Sequence, residues 1–194
     1  MVATTDRDLD DPLVSFARVE GVEVFRGATN DVARRAFNCL QAFGLARIVR
    51  ISGDSPFMDP ALLSAIAERA EMSAADIVTN VHPRTYPAGM SVEVITETAL
   101  RKIVHEAPDG VDREHVTRFA YRNPKMFLIE NVPSPDNSLA DLTLTVDTPA
   151  DLDKAVWILD RLGKMPEHAS LTTVVACLRT WNGGREDRGV LASG

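Results

Sequence analysis

The chain has 194 residues, 45% of them hydrophobic and 25% charged, which is typical of a globular protein whose core needs no disulfide or structural metal. Its formal net charge is −7, so there is no surplus of basic side chains for nonspecific binding to DNA, RNA or an anionic membrane. No apolar run approaches the roughly 18 residues of a membrane span and no signal peptide is recognisable, so we expect a cytoplasmic protein.

Strand and helix patterns alternate along the chain, which is typical of an α/β fold. Residues 1–4 resemble the end of a strand, and further strands are predicted at 22–26, 46–52, 76–80, 91–95, 127–132 and 142–146. Helices are predicted from near residue 12 and at 30–43, 60–70, 96–106, 112–122, 148–162 and about 171–181. The apolar strand 46–52 is expected at the centre of a parallel sheet. We predict one α/β domain over residues 1–165, followed by a C-terminal helix and a loose, glycine-rich tail over residues 166–194.

Capping signals predict where several helices begin. Asn30 is predicted as the N-cap of the helix 30–43, and Asp59 as the N-cap of a helix that starts with proline. Thr148 is predicted to cap the helix 148–162, with Asp151 completing a capping box and Gly163 ending the helix.

Two aspartates follow predicted strands. Asp54 lies in Gly-Asp-Ser-Pro at 53–56, directly after the strand 46–52, and Asp147 follows the strand 142–146. Ligands of open parallel sheets bind beyond the carboxyl ends of the strands, and Mg²⁺ takes one or two protein carboxylates. Each aspartate also has a plain structural interpretation, Asp54 as part of a turn and Asp147 as a helper of the helix cap, although Thr148 already fills that cap. If the two share a cation, their carboxylates should lie within about 8 Å of each other.

Two further stretches are rich in hydrogen-bond donors. Arg84 and Tyr86 lie in a loop with two prolines, and Arg113 and His115 lie at the start of a predicted helix. Arginine binds carboxylates in a bidentate manner, and histidine exchanges protons near neutral pH. The alternatives are an ordinary connecting turn and a solvated first helical turn. We expect Arg84, Tyr86 and at least one of the other two to line a cleft beside the aspartates or at a subunit boundary.

Six motifs follow one another in the chain: ATTD at 3–6 with DDPL at 10–13, VEVFRG at 22–27, VRISGDSP at 49–56, RTYPAG at 84–89, REHVT at 113–117 and VDTPADL at 146–152. In this order and spacing, over roughly residues 2–162, the chain resembles the cytidylyltransferase family. That family includes spore-coat polysaccharide proteins and, more distantly, acylneuraminate and KDO cytidylyltransferases.

The resemblance implies a Rossmann-like three-layer α/β sandwich of the nucleotide-diphospho-sugar transferase type. It implies transfer of a cytidylyl group from CTP to a sugar acid, with release of pyrophosphate, by a homodimer. Asp54 and Asp147 match the family's catalytic Mg²⁺ ligands. Arg84, Tyr86, Arg113 and His115 match segments that bind the sugar or lie at the dimer side.

The sequence departs from the family at its start and at Ser91. Family members begin with a strand and a glycine- and arginine-containing loop that cradles the triphosphate, so the comparison predicts an N-terminal truncation of about 40 to 50 residues. We therefore expect residues 1–194 to show no appreciable CTP turnover and to self-associate through an exposed strand edge. At position 91 the chain has serine where the family often has aspartate. This difference affects how the sugar is expected to be recognised.

Two other functions fit the same fold. One is a non-catalytic binding or assembly module, for which we expect CTP binding without turnover. The other is a glycosyltransferase of similar architecture, which should carry an Asp-x-Asp metal motif at a strand end. The match at Asp151 and Asp153 lies inside a predicted helix, so the glycosyltransferase ranks last.

Overall fold

The computed structural model describes residues 1–108, 110–163 and 169–191, with the side chains of the last helix described as far as Gly183. The chain forms two compact units. The first holds Met1–Val49, Ser73–Val78 and Val94–Glu130; the second holds Arg50–Met72, Thr79–Glu93 and the chain from Asn131 onward. The predicted boundary between residues 165 and 166 lies outside the described residues.

Helices and strands alternate along the chain, as predicted. The strands are β1 (Val2–Thr5), β2 (Val24–Gly27), β3 (Arg47–Arg50), β4 (Ile77–Thr79), β5 (Glu93–Thr96) and β6 (Ile129–Asn131). The helices are α1 (Asp11–Val19), α2 (Val32–Ala42), α3 (Pro60–Met72), α4 (Glu97–Glu106), α5 (Val111–Glu114), α6 (Arg118–Arg122), α7 (Pro149–Leu162) and α8 (Leu171–Leu191). No helix within the described ranges is both long enough and apolar enough to cross a membrane.

The strands of the described chain form two sheets. β1 and β2 pair in parallel, with Val2 opposite Val24. The other sheet has the order β3-β5-β4-β6. β4 and β6 run parallel, because Asp76 N donates to Leu128 O at one end and Val132 N donates to Thr79 O at the other. β5 runs against both neighbours: its last residue, Thr96, bonds back to Asp76, and the next amide, Glu97 N, bonds to Ala46 O just before β3.

Each unit has its own apolar core. In the first unit, Leu40 of α2 and Leu100 and Ile103 of α4 are fully buried against Ile77 and Ile95 of the sheet. The second unit buries side chains from α3, α7 and α8, together with parts of two loops, and the largest of them are almost fully buried. Those residues are Ile66, Met90, Leu144, Ile158 and Leu178, each at most 2% exposed.

Two predicted helix starts are confirmed. Thr148 accepts from Asp151 N, and the Asp151 carboxylate accepts from Thr148 N, which completes the predicted capping box of α7. Gly163 ends that helix at a φ of +79°. Asp59 Oδ1 accepts from Ala61 N at 2.8 Å at the start of α3.

The N-cap of α2 was predicted wrongly. Asp31, rather than Asn30, caps the helix, because its carboxylate accepts from Arg34 N at 2.8 Å. The same carboxylate is held by Arg113, and that contact is long-range and invisible to local pattern reading.

Four other predicted elements differ from the structure. α8 continues to Leu191 instead of ending near residue 181. Residues 142–146 form no strand; they make only an isolated bridge between Thr143 and Ala88. The helix predicted at 112–122 is split into α5 and α6 at Val116, which has a φ of +43° and is fully buried in the core. β3 lies at the end of the described four-stranded order, not at its centre, and is antiparallel to β5.

Candidate active site

Asp54 lies in the turn that follows β3, as the sequence predicts. Its carboxylate Oδ1 accepts from the Ser55 hydroxyl at 3.1 Å. Its backbone oxygen accepts from Val146 N at 2.9 Å. This bond fixes the Asp54 turn beside the segment that leads to Asp147.

Asp147 precedes α7 and takes no part in the capping box of that helix. Its carboxylate Oδ2 accepts from the Thr145 hydroxyl at 2.8 Å. The side chain is exposed. Because Thr148 and Asp151 satisfy the first turn of α7 between them, the carboxylate of Asp147 is left to other partners.

The two aspartates therefore lie on hydrogen-bonded neighbouring segments and share one chemical feature. In each, one carboxylate oxygen accepts from a nearby hydroxyl, and the other has no hydrogen bond or ion pair within the described chain. No cluster of three or more candidate metal ligands occurs among the described residues. Such a pair fits Mg²⁺, which takes one or two protein carboxylates and fills its remaining positions with phosphate and water. The separation of the two carboxylates stays a prediction.

The loop with Arg84 and Tyr86 is held against the same segment. Ala88 N donates to Leu142 O at 2.9 Å, and Leu144 N donates to Ala88 O at 2.8 Å. Gly89 follows with a φ of +93°, and a Cβ there would lie 2.9 Å from the backbone carbon of Leu144. The motif's glycine thus has a local reason, since only glycine permits both this φ and this close approach.

The two predicted site residues of this loop differ in exposure. Arg84 is exposed, and its guanidinium donates to Pro87 O at 3.4 Å and to Ser91 Oγ at 3.1 Å, which braces its own loop. Tyr86 is only 9% exposed and lines a cavity in the second unit. Burial, with the negative charge of Asp59 as a second cause, raises the pKa of the Tyr86 hydroxyl.

Arg113 and His115 lie in the other compact unit. The Arg113 guanidinium donates to Asp31 Oδ2 at 2.7 Å and to the backbone oxygens of Val104 and Ala107 at 3.0 and 3.2 Å. These contacts join α5, α4 and the N-terminus of α2. His115 is exposed at the end of α5.

The sequence model of the cytidylyltransferase family matches residues 1–159. The chain belongs to the cytidylyltransferase family. Over 152 residues it is 34% identical to an uncharacterised protein of Methanocaldococcus jannaschii, a match that covers 78% of this chain and 61% of that protein. Over 169 residues it is 27% identical to the spore coat polysaccharide biosynthesis protein SpsF of Bacillus subtilis, covering 86% of this chain and 69% of that protein.

The fold has a close counterpart among solved structures. A cytidylyltransferase from Leptospira borgpetersenii superposes with a TM-score of 0.85 at 24% sequence identity, over 92% of this chain and 75% of that one. This likeness confirms the predicted fold class, an α/β fold of the nucleotide-diphospho-sugar transferase type. The chain spans about three fifths of the archaeal relative.

Sequence reasoning missed two charged side chains in or beside the family motifs of this chain. Arg50, at the end of β3, donates to Glu93 Oε2 of β5 at 2.5 Å, and the Glu93 side chain is 4% exposed. The signal was present, because Arg50 interrupts an apolar strand four residues before Asp54.

The second missed charge is Lys154 of α7. Its ammonium donates to Asp151 Oδ1 at 2.9 Å and to Thr143 O at 3.4 Å, and its side chain is 8% exposed. The hydrogen bond from Lys154 and that from Thr148 hold the pKa of Asp151 well below its usual range. Lys154 thereby ties α7 to the segment that carries Asp147.

Proposed function

We propose that this chain binds CTP and takes part in activating a sugar acid by cytidylyl transfer, with release of pyrophosphate. One observation carries the proposal: Asp54 and Asp147 lie on hydrogen-bonded neighbouring segments, each without a cationic partner among the described residues. Two carboxylates that have no ion pair within the described chain can bind a divalent cation without first breaking one. Membership of the cytidylyltransferase family supplies the identity of the nucleotide.

In this proposal Asp54 and Asp147 would hold Mg²⁺. When bound, the ion would neutralise charge on the phosphates of CTP. The chain's own contribution is to position the two carboxylates. The bond from Val146 to Asp54 and the bonds around Lys154 keep their segments in place.

The residues that we propose for sugar binding have different roles. The exposed Arg84 guanidinium is suited to a carboxylate, since it would exchange its hydrogen bonds to Pro87 O and Ser91 Oγ for a bidentate pair. Arg113 acts as a positioning residue, because its guanidinium is committed to Asp31 and two carbonyls. The exposed His115 is then the part of that motif available to a sugar or to a second subunit of a homodimer. Tyr86 is buried in the loop that also carries the exposed Arg84.

A role in surface polysaccharide synthesis in the cytoplasm completes the proposal. It rests on the similarity to SpsF, whose name places that protein in spore coat polysaccharide biosynthesis.

The test is CTP binding by residues 1–194, measured by calorimetry with and without Mg²⁺. We expect Mg²⁺-dependent binding that weakens about tenfold or more in Asp54→Asn and in Asp147→Asn. Asp153→Asn, which changes an exposed carboxylate of α7, is the matched control and should bind as the wild type. Binding that needs no Mg²⁺, or that survives both substitutions, would contradict the proposal. Pyrophosphate release then separates an enzyme from a binding module, which would hold CTP without turnover.

A further inference from the structure

The second unit contains a cavity of about 480 Å³ that the proposed CTP site does not use. Its walls come from α3, from the loop that carries Tyr86, from the turn after β6 and from one face of α8. The volume lies within the range of small-molecule sites, roughly 300 to 1,000 Å³. Most of the lining is apolar, including Leu62, Leu139 and Val175.

The face of α8 sets the length of the cavity. Leu171, Val175 and Arg179 are spaced four residues apart and all line it. At a rise of 1.5 Å per residue, the eight steps from Leu171 to Arg179 span about 12 Å. One end of the cavity therefore lies at the start of α8, and the other end lies at the guanidinium of Arg179.

At the end near the start of α8, the carboxylate oxygens of Asp59 already accept hydrogen bonds, whereas the hydroxyl of Tyr86 donates none within the described chain. Asp59 Oδ1 accepts from Ala61 N at 2.8 Å and Leu62 N at 3.4 Å, and Oδ2 accepts from Leu171 N at 2.8 Å. The carboxylate thus faces the N-termini of both α3 and α8, which balance its charge. The Tyr86 hydroxyl makes no hydrogen bond within the described chain, although the residue is 9% exposed. The hydroxyl is protonated at neutral pH, so it is an available O–H donor on a residue that lines the cavity.

The other end of the cavity is lined by a positively charged side chain, that of Arg179. Arg179 makes a single described hydrogen bond, from Nη2 to Ser138 Oγ at 3.5 Å, the limit for such a bond. Asp136 also lines this end, but its carboxylate Oδ1 accepts from Ser138 N at 2.9 Å. Hydrogen bonds from Ser138 and, as a lesser cause, the charge of Arg179 lower the pKa of Asp136. No hydrogen bond or ion pair between the two side chains is found in the described chain, so the guanidinium keeps most of its donors for an added anion.

We propose that this cavity binds a small organic acid with an apolar aromatic or short aliphatic body. The carboxylate pairs with Arg179, and an oxygen acceptor at the far end of the ligand receives the hydrogen bond of Tyr86. A sugar fits poorly, because its hydroxyls would face leucine and valine side chains. The inference does not rest on the proposed CTP site.

The probes for testing it are 4-acetylphenylacetate, which has both groups, phenylacetate, which lacks the ketone, and the methyl ester of the first, which lacks the charge. Binding to residues 1–194 is followed by protein-observed NMR. Tyr86→Phe should weaken 4-acetylphenylacetate about 2- to 10-fold and leave phenylacetate unchanged. Arg179→Gln should weaken both acids by a similar factor and leave the ester unchanged.

Arg161→Gln, which removes an arginine that stacks on Trp157 outside the cavity, is the control and should bind every probe as the wild type. Thermal unfolding of each variant verifies that it is folded. The proposal is overturned if 4-acetylphenylacetate does not bind at millimolar concentration. It is equally overturned if the two substitutions weaken all three probes alike.

Discussion

In the first unit the charged side chains of the family motifs hold one another, whereas in the second the two motif aspartates have no charged partner in the described chain. Asp10 accepts from the hydroxyls of Thr4 and Thr5 and from Thr5 N. The carboxylates of Asp54 and Asp147 each accept from one neighbouring hydroxyl and from nothing else described. Charged residues of the family motifs therefore differ in whether the described chain gives them a partner.

Arg26 shows how completely the first unit uses its charges. Its guanidinium donates to Asp11 Oδ1 at 2.6 Å, to Thr5 O at 2.9 Å and to Arg7 O at 2.6 Å. Two motifs, ATTD with DDPL and VEVFRG, thus meet in one network that orders the loop between β1 and α1. Their sequence signal is explained by this loop without a ligand.

The difference gives a criterion for separating binding residues from structural ones. A charge that the fold satisfies internally has a structural reason to be there. A motif charge for which the fold provides no partner lacks such a structural reason and is a candidate for binding a ligand. By this criterion we propose Asp54 and Asp147 as binding residues and Arg113 as a positioning residue.

The largest effect we predict is at the ion pair of Arg50 and Glu93 in the second unit. This pair is an exception to the comparison, because the fold gives a motif charge of the second unit a charged partner. Glu93→Ala should lower the free energy of unfolding by about 3 kcal/mol, because it leaves the Arg50 guanidinium without its buried partner. Urea denaturation measures the change. The control is Arg101→Ala, which breaks the exposed pair with Glu97 on α4 and should cost less than about 0.5 kcal/mol. Equal costs for the two variants would show that burial of the pair contributes nothing.

The comparison itself is tested by a pair of variants, one from each unit. Arg113→Gln should lower the free energy of unfolding by about 2 kcal/mol, since it removes a charged hydrogen bond to Asp31 and leaves carbonyls unpaired. Asp54→Asn should leave stability unchanged or raise it by up to about 0.5 kcal/mol, because it relieves an unbalanced charge. Urea denaturation without divalent cations measures both. A destabilising Asp54→Asn together with a neutral Arg113→Gln would reverse the assignment.

Local chemistry explains which parts of the fold could be predicted from the sequence. The start of α7 needs only Thr148, Pro149 and Asp151, all within four residues, and was predicted correctly. Asp59 was likewise readable as a cap of α3. The two motif aspartates could be placed because both follow apolar runs.

The errors have a tertiary cause. Asp31 rather than Asn30 caps α2 because Arg113, distant in sequence, fixes its carboxylate. The break at Val116 follows from burying that side chain in the core, which no local signal reports. The buried ion pair of Arg50 and Glu93 joins two strands whose neighbourhood was not predicted. The cavity along α8 depends on four separate segments, so only Tyr86 among its polar residues was predicted as a binding residue.

The smallest predicted effect concerns Asp10 in the first unit and appears only in acid. Hydrogen bonds from the Thr4 hydroxyl, the Thr5 hydroxyl and Thr5 N lower the pKa of Asp10 from 3.8 to about 2. A carboxyl whose pKa is lower in the folded state stabilises the fold above its unfolded pKa. That contribution is lost as the pH falls through the folded pKa. The difference in stability between wild type and Asp10→Asn should therefore stay constant above about pH 5 and shrink as the pH falls from about 4 to about 2.

Urea midpoints of the two proteins, measured side by side at each pH, give this difference and cancel the titration of every other carboxyl. Thr4→Val sharpens the assignment, because valine keeps the shape of the buried threonine but removes the hydroxyl that acts most strongly on Asp10. In that background the pKa of Asp10 should rise toward its ordinary value, so the difference should begin and finish shrinking over a narrower and less acidic range. A difference that is the same at pH 2 as at pH 6 would mean that the Asp10 carboxylate is not held by these threonines. The ordered loop of the first unit would then need another explanation than the network of its own motif charges.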